Sequence, residues 1–138
     1  MPKVSIIIPV YRAEETIAAC LDSVTTQTLD NLEVLMVNDH TCDRSIDLAQ
    51  QHLKQYSGPI RFIFLETDTH GSPGAARNLG IEKATGDYLA FLDSYDTLDS
   101  AFCEKLYSAA IQEKADLAFG HISTTRSEER RVGKECRS

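Results

Sequence analysis

The sequence predicts an α/β domain in which a mostly parallel central sheet is flanked by helices. Short apolar runs, most of them rich in β-branched residues, alternate with longer stretches of helical periodicity. The apolar runs are continuous, which is typical of strands buried on both faces of a parallel sheet. Alternation of strand and helix implies right-handed crossovers, so a ligand site is expected beyond the carboxyl ends of the strands.

The expected elements follow one another along the chain. Apolar runs at residues 4–10, 32–37, 60–65, 88–92 and 117–122 are predicted strands. We expect Pro9 to end the first strand, because proline cannot donate to a central ladder. Asp99 or Ser100 is the expected N-cap of the last helix. The four helices are predicted from apolar stripes: Ile17, Leu21 and Val24; Ile46, Ala49, Leu53 and Tyr56; Ala76, Leu79, Lys83 and Ala84; and Phe102, Leu106 and Ala109.

Composition narrows the classes of function. The 138 residues fit one domain, and an apolar fraction of 42% is enough for a core. A net charge of −7 argues against a nucleic-acid partner, because neutralising phosphates requires clustered Lys and Arg. It does not exclude a phosphate-bearing ligand, since a divalent metal held by carboxylates can bring a diphosphate to an acidic site. Four cysteines without C-x-x-C spacing, and no apolar stretch near the ~20 residues of a membrane span, favour reduced thiols and a cytoplasmic location.

The end of the chain differs from the rest. From residue 126 onward there is no apolar periodicity, and five of the thirteen residues are basic. One interpretation is a solvated basic helix. We prefer a non-native or disordered tail at 126–138, which follows a domain at 1–125 that is incomplete at its C-terminus.

Residues near the ends of the first two predicted strands suit a nucleotide. Pro9, Val10 and Tyr11 precede the first helix, where a turn exposes backbone amides and an aromatic ring that can cradle a base or ribose. Taken alone, this cluster is better explained as a plain strand-to-helix loop. Asp39 closes the second strand, and its carboxylate can accept the imide N–H of uracil or thymine. Asp43 is expected to cap the helix that follows.

A third cluster lies at residues 71–80, where glycines and a proline mark a loop that opens a helix. Arg77 falls in the first turns of that helix. A helix N-terminus together with a guanidinium favours a phosphate or a base carbonyl. An ion pair between Arg77 and one of the many acidic residues explains the pattern equally well.

A fourth cluster follows the predicted strand at 88–92. Asp93 and Asp96 are two carboxylates three residues apart, well placed to hold Mg²⁺ or Mn²⁺ and a diphosphate. The metal would neutralise the leaving diphosphate. The competing interpretation is helix capping by Asp96 and Asp99.

The motifs of these clusters occur in a characteristic order. They read P-V-Y at 9–11, V-N-D at 37–39, G-S-P-G-A-A-R-N-L-G at 71–80, A-T-G-D-Y-L-A-F-L-D at 84–93 and D-S-Y-D at 93–96. Together they resemble the family 2 glycosyltransferases over residues 2–122. The resemblance implies a GT-A (Rossmann-like) nucleotide-diphospho-sugar transferase fold. It also implies transfer of a sugar, with inversion, from a nucleotide-diphosphate donor to an acceptor hydroxyl.

The resemblance assigns roles to individual residues. Asp39 would read the base, Arg77 would approach the nucleotide, and Asp96 with Asp93 would bind Mg²⁺ or Mn²⁺. The implied donor site draws on all four clusters: Pro9, Val10, Tyr11, Glu14, Asp39, Arg77, Asp93, Ser94 and Tyr95.

Several positions differ from the residues that are usual in the family's motifs. Arg12 stands where Asn is common, and Asn38 and His40 replace the Asp and Gly of the frequent D-D-G-S box. Tyr95 replaces the third residue of the usual D-S-D-D run and removes one carboxylate. Weaker metal binding or a changed donor preference is therefore expected, and the phenol could instead stack on the ribose or hydrogen-bond to it.

The resemblance also implies partners. A UDP-sugar is the expected donor, and a saccharide or lipid-linked molecule the expected acceptor, in polysaccharide or glycoconjugate synthesis. The full-length protein could sit at the inner face of the membrane. The family's catalytic base lies on a later segment, so we expect little turnover from this chain alone. A truncated sheet would expose apolar surface, which favours self-association.

Two other functions compete with glycosyl transfer: a non-catalytic binding module and a flavodoxin-like receiver. A non-catalytic nucleotide-sugar-binding module would keep the fold without the metal site, and Tyr95 supports it. A flavodoxin-like signalling receiver would need a phospho-acceptor Asp at the end of the third strand, where Glu66 and Asp68 stand, and a Lys after the fifth strand. Gly120 and His121 occupy that second place.

Overall fold

The computed structural model describes residues 2–68 and 73–114 of the chain. Four parallel strands form a sheet of order β3-β2-β1-β4, where β1 is Val4–Val10, β2 Leu32–Asn38, β3 Arg61–Glu66 and β4 Tyr88–Phe91. The helices are α1 (Ile17–Thr25), α2 (Ser45–Leu53), α3 (Pro73–Lys83) and α4 (Phe102–Gln112). The predicted α/β class, parallel sheet and first four strands are confirmed, with strand ends within one residue. The run at 117–122 and the tail at 126–138 lie outside the described residues.

The two faces of the sheet bury different side chains, because successive residues of a strand point to opposite faces. On one face, α1, α2 and α4 cover a core that includes Ile6, Ile8 and Met36. On the other face, α3 covers Ile7 and Leu35. Both central strands are therefore buried on both sides, as their continuous apolar runs predict. Each of these side chains contributes about 1.5–3 kcal/mol to folding.

Pro9 lies inside β1, so the expectation that it ends the strand is wrong. β1 pairs with β2 along its whole length, from Val4 to Val10. β4 accompanies β1 only as far as Ile7, whose carbonyl accepts the amide of Leu92 at 3.0 Å. Alternate residues of a strand hydrogen-bond to opposite neighbours, so Pro9 faces the same side as Ile7. Because β4 has already ended there, the missing amide hydrogen breaks no bond to it.

The start of α4 also differs from the prediction. Ala101, rather than Asp99 or Ser100, occupies the N-cap position, and no side-chain hydrogen bond caps it. Asp99 acts earlier, because its carboxylate accepts the amide of Ala101 at 3.2 Å and its carbonyl accepts that of Phe102 at 3.0 Å. The aspartate thus shapes the turn into the helix without being its cap.

Four residues of the predicted helical stripes do not lie on a buried helix face: Tyr56, Lys83, Ala84 and Ala109. Lys83 is exposed, and Ala84 lies beyond the end of α3. Ala109 is exposed, and the buried residues of α4 are Cys103 and Ala110. Tyr56 lies beyond the end of α2, and its ring packs edge-on against Phe62 of β3 with centroids 5.6 Å apart. Across residues 2–68 and 73–114, no helix is both long enough and apolar enough to cross a bilayer.

Helix α3 approaches β1 closely at Gly80. A Cβ atom added there would lie 2.5 Å from Cγ2 of Ile7, which is far inside van der Waals contact. The glycine therefore lets the helix backbone rest directly on the sheet, although glycine inside a helix costs about 1 kcal/mol relative to alanine. Arg77 lies one turn earlier on the same helix, so this contact also fixes the height of Arg77 above the sheet.

A buried polar network closes the amino edge of the sheet, and the sequence did not reveal it. The Glu33 carboxylate accepts hydrogen bonds from the Ser5 hydroxyl at 2.8 Å and from the amide and hydroxyl of Thr85, both at 2.9 Å. Ser5 in turn accepts the amide of Gly86 at 2.8 Å. Burial raises the pKa of Glu33, but the hydrogen bonds from Thr85 and Ser5, with the charge of Arg61, lower it by more.

Candidate functional site

Two loops at the carboxyl edge of the sheet are locked together: the β1–α1 loop at residues 11–16 and the β2–α2 loop at 39–44. Side chains accept backbone amides across the pair: Thr41 from Arg12 (2.9 Å), Ser45 from Ala13 (2.7 Å) and Glu14 from Arg44 (2.8 Å). The Glu14 carboxylate therefore sits at the start of α2, where negative charge complements the helix dipole. These bonds make the two loops one rigid wall.

Asp43 organises the start of α2 but is not its expected N-cap, because Arg44 occupies that position without a side-chain cap hydrogen bond. One of its carboxylate oxygens accepts the hydroxyls of Thr41 and Ser45, both at 2.7 Å, and the amide of Ser45 at 3.1 Å. Partial burial raises the pKa of Asp43, and these hydrogen bonds lower it by more, so it stays below its ordinary value. The carboxylate remains charged at neutral pH and is committed to holding the loop.

Two residues of this wall have left-handed backbones. Arg12 has φ 53° and His40 has φ 58°. At these two positions the family usually has Asn and Gly, respectively. Both Asn and Gly tolerate positive φ. Histidine is moderately tolerated, whereas arginine in this region costs of order 1 kcal/mol. The left-handed backbone thus explains why Asn and Gly are usual at these positions, and Arg12 adopts it against its conformational preference.

Asp39 lies directly beyond β2, as predicted. Its amide donates to the carbonyl of Val10 at 3.1 Å, which ties it to the end of β1. Its side chain is buried, at 4% exposure, and accepts the Thr67 hydroxyl at 3.2 Å. The neighbouring His40 ring bonds to the Thr67 carbonyl and lies 3.7 Å from the Glu66 carboxylate. The ends of β1, β2 and β3 are thereby connected around one carboxylate.

Arg77 and Asp93 form an ion pair. The guanidinium Nη2 of Arg77 donates to the Asp93 carboxylate at 3.1 Å, and the two side chains are 38% and 25% exposed. The contact joins the first turns of α3 to the loop after β4. The ion-pair interpretation of Arg77 is therefore realised, while more than a third of its side chain still faces solvent.

The D-S-Y-D segment forms a tight turn anchored by Thr16, the N-cap residue of α1. The amide of Asp96 donates to the carbonyl of Asp93 at 3.0 Å, and the Thr16 hydroxyl donates to the carbonyl of Ser94 at 3.1 Å. Ser94 is buried, whereas Tyr95 is 62% exposed. Behind the turn, burial and the nearby carboxylates of Asp96 and Asp93 raise the pKa of the Cys20 thiol to about 12. That thiol is uncharged and buried, which suits a structural role.

A cleft of about 570 Å³ opens between the three loops. This volume is within the range of small-molecule sites. Glu14 and Tyr95 are the predicted donor-site residues that line it. Its other lining residues are Arg12, Glu15, Thr16, Cys42 and Asp43.

The remaining predicted residues lie around this cleft rather than in its lining. Pro9 and Val10 belong to β1, and the Val10 side chain is buried in the core. Tyr11 is 38% exposed. Asp39 lies at the ends of β1 and β2, and the Arg77–Asp93 pair lies at the end of β4. All of them occupy the carboxyl edge of the sheet, but Arg77 comes from the face covered by α3.

Of the side chains that bond the two loops, Glu14 was predicted as a site residue, whereas Thr41 and Ser45 were not. Their positions just before and at the start of a helix are a recognisable signal for hydroxyl groups that bond to backbone amides. What the sequence could not supply is the partner loop, because Arg12 and Ala13 are about thirty residues away.

The described residues contain no group of three or more His, Cys, Asp or Glu side chains arranged to hold a metal ion. The predicted ligands Asp93 and Asp96 are two carboxylates, and Asp93 is shared with Arg77. Mg²⁺ usually takes one or two carboxylates and completes its shell with water and substrate phosphates. Asp96 and Asp93 meet that requirement in the number and type of ligand.

Comparison with known proteins places these features in a family. Residues 5–135 match the model of the family described as Glycosyl transferase family 2. The poly(ribitol-phosphate) beta-glucosyltransferase of Bacillus spizizenii is 35% identical over 122 residues, which is 87% of this chain and 19% of that protein. Glycosyltransferase GlyA of Streptococcus pneumoniae is 34% identical over 119 residues, which is 86% of this chain and 16% of that protein. The chain thus spans less than a third of the length of such relatives.

Solved structures agree on the fold. S. aureus TarS 1-349 in complex with UDP superposes with a TM-score of 0.76 at 24% identity, over 94% of this chain and 38% of that one. The mannosyltransferase PcManGT from Pyrobaculum calidifontis, in complex with GDP-Man and Mn²⁺, has a TM-score of 0.65 at 22% identity, over 70% and 28% of the two chains. The four-stranded parallel sheet with flanking helices is the GT-A fold of nucleotide-sugar transferases, as expected.

Proposed function

Since the chain belongs to glycosyl transferase family 2, we propose that it is the donor-binding part of an inverting glycosyltransferase. In this proposal the enzyme moves a sugar from a nucleotide-diphosphate donor to an acceptor hydroxyl, in the synthesis of a polysaccharide or glycoconjugate. The donor is a UDP-sugar, in keeping with the UDP and UDP-GlcNAc complexes of TarS. The acceptor is a saccharide or a lipid-linked molecule.

The observation that carries the proposal is the Arg77–Asp93 contact at the carboxyl edge of the sheet. It brings the start of α3 to the loop after β4. The same edge holds Asp39 and the cleft of about 570 Å³. An open α/β sheet binds its ligand beyond the carboxyl ends of its strands, so these groups share the expected position. A nucleotide lying along this edge would reach from Asp39 to the D-S-Y-D turn.

The residues divide the work of binding. Asp39 accepts the imide N–H of the base, and its burial would strengthen that hydrogen bond. The solvent-facing part of Arg77 approaches the nucleotide while Asp93 fixes its orientation. Pro9 and Tyr11 contribute the wall beside the base, Val10 supports that wall from the core, and Ser94 holds the turn in place. A bound Mg²⁺ or Mn²⁺, held by Asp96 with Asp93, would supply charge that stabilises the departing diphosphate.

Inversion requires a base that deprotonates the acceptor hydroxyl opposite the leaving group. We assign no residue of this chain to that role, and we propose that the chain alone turns over slowly or not at all. The complete protein acts in the cytoplasm, at the inner face of the membrane when its acceptor is lipid-linked. Self-association of this chain is part of the same proposal, and light scattering that shows a monodisperse monomer would contradict it.

Titration with UDP tests the proposal. Asp39→Asn replaces a charged acceptor with a neutral one, so we expect UDP affinity to fall about tenfold. Asp47→Asn is the matched control, because Asp47 is an exposed residue of α2 outside the cleft. UDP binding that is absent, or equally affected by both variants, would contradict a donor site at this edge.

A non-catalytic binding module is the second candidate, and Tyr95 favours it. Tyr95 is a largely exposed phenol at a position where the family usually has a carboxylate. Mn²⁺ separates the two candidates. Tightening of UDP binding by Mn²⁺ supports the transferase, whereas UDP binding that is insensitive to Mn²⁺ supports the module.

A further inference from the structure

We propose that Arg12 binds the diphosphate of the nucleotide-sugar donor, an inference that rests on the function proposed above. Arg12 is the positively charged residue among those that line the cleft in the described part of the chain. Its guanidinium offers several N–H donors in a planar fork that matches phosphate oxygens. The donor's diphosphate is the group in that ligand with the greatest need for such donors.

Three acidic residues, Glu14, Glu15 and Asp43, also line the cleft, and two of them are committed to the loops. Glu14 accepts the amide of Arg44 at the start of α2, and Asp43 accepts three hydrogen bonds from Thr41 and Ser45. Both carboxylates are therefore engaged by the loop and by the positive end of a helix. They act mainly as structural supports for the wall that carries Arg12.

The backbone and side chain of Arg12 are both held in place. Its amide donates to the Thr41 hydroxyl at 2.9 Å, and its guanidinium lies 5.2 Å from the centre of the Tyr11 ring. This cation–π contact restrains the position of the guanidinium. The arginine also persists at φ 53°, where asparagine or glycine is more easily accommodated. An unfavourable backbone at a ligand-sized cleft points to a role in binding.

Arg77 is less suited to a diphosphate lying in the cleft. It belongs to α3, on the other face of the sheet, and it does not line the cleft. It is also paired with Asp93 at 3.1 Å. The two arginines thus divide between the two sides of the carboxyl edge, with Arg12 on the side of Tyr95.

Comparison of UDP with uridine isolates the diphosphate contact. In Arg12→Asn we expect UDP affinity to fall about tenfold, and uridine affinity to stay within about twofold of the original chain. Asparagine tolerates the left-handed backbone, so the variant should fold at least as stably, and a urea titration checks this. Lys105→Gln removes one exposed positive charge from α4 outside the cleft and controls for net charge. The titrations are run in EDTA and repeated with Mn²⁺.

Each outcome decides the matter. Selective loss of UDP binding in Arg12→Asn, absent in Lys105→Gln, supports the inference. Equal losses for UDP and uridine would show that Arg12 contacts the nucleoside, and no loss for either would show that it contacts neither, so both results overturn it. Failure of the unaltered chain to bind UDP, with or without Mn²⁺, contradicts the proposed function and this inference together.

Discussion

At the amino edge of the sheet, the Glu33 carboxylate is buried and accepts three hydrogen bonds from Ser5 and Thr85. At the carboxyl edge, Glu14 and Asp43 are also engaged by backbone and hydroxyl donors, but Arg12 and Tyr95 beside them face a cleft of about 570 Å³. Both edges are rich in polar groups. At the amino edge, the polar groups bond to one another. At the carboxyl edge, some polar groups support the loops, and these loops present other polar groups to the cleft.

This difference separates stability from binding. A buried polar group without a partner costs about 1–3 kcal/mol, so changes at the amino edge should act on the free energy of unfolding. Changes at the carboxyl edge should act on ligand affinity, with small effects on folding. Variants at each edge, and one between them, test whether folding stability depends on the amino edge and ligand affinity on the carboxyl edge.

The largest effect is expected from Glu33→Ala. It leaves the donors of Ser5 and Thr85 without their shared acceptor, and we expect the free energy of unfolding to fall by about 3 kcal/mol in urea titrations. Glu82→Ala, at an exposed position of α3, is the control and should change stability by less than about 0.5 kcal/mol. A Glu33→Ala chain as stable as the control would show that the amino edge is not a structural network.

Gly80→Ala lies between the two edges and should lower both the free energy of unfolding and the affinity for UDP. The new Cβ would lie 2.5 Å from Cγ2 of Ile7, so α3 must move away from the sheet. We expect a net loss of about 1–2 kcal/mol, since overpacking outweighs the gain in helix propensity. UDP binding should weaken as well, because Arg77 is carried by the same helix.

Ile7 provides the control for that prediction. In an Ile7→Ala background the clash is absent, so Gly80→Ala should cost much less there than in the original chain, which a double-mutant cycle measures. Equal costs in the two backgrounds would mean that Gly80 is not needed for close approach to Ile7.

The fold was predictable to a large extent because its signals are local. Continuous apolar runs place the strands, and buried stripes such as Ile17, Leu21 and Val24 place the first helix correctly. The exceptions have identifiable causes. Pro9 is accommodated inside β1 because β4 is shorter than β1, and the length of a neighbouring strand cannot be read from the sequence around the proline.

The candidate site was predictable in position but not in its contacts. The predicted strand ends placed Asp39, Arg77 and Asp93 at one edge of the sheet. The sequence did not indicate which of the many acidic residues pairs with Arg77. Glu33 was missed because its partners lie 28 and 52 residues away and meet only in the folded sheet. The left-handed backbone of Arg12 was equally hidden. The roles of these residues in donor binding remain predictions.

The pH dependence of the free energy of unfolding tests whether the ionised Glu33 carboxylate stabilises the amino edge. The pKa of Glu33 is lowered from 4.5 in the folded chain, so its ionised form stabilises the fold at neutral pH. That contribution starts to disappear as the pH falls below the ordinary glutamate value, and it is gone below the lowered pKa. Glu33→Gln should therefore be less stable at pH 7 and should lose less stability on acidification. Parallel pH profiles for the two chains would contradict this assignment.

The smallest effect is expected at the carboxyl edge, from Arg12→Gly. Glycine adopts φ 53° without strain, but it also loses more chain entropy on folding, so we expect a gain of only about 0.5 kcal/mol in the free energy of unfolding. Lys105→Gly, at an exposed helical position, should instead cost about 1 kcal/mol. Opposite signs for the two glycine variants would show that the chain keeps Arg12 at some expense in stability, which a purely structural residue would not require. Equal losses would mean that Arg12 stabilises its own loop, and the division of labour between the two edges would then no longer hold.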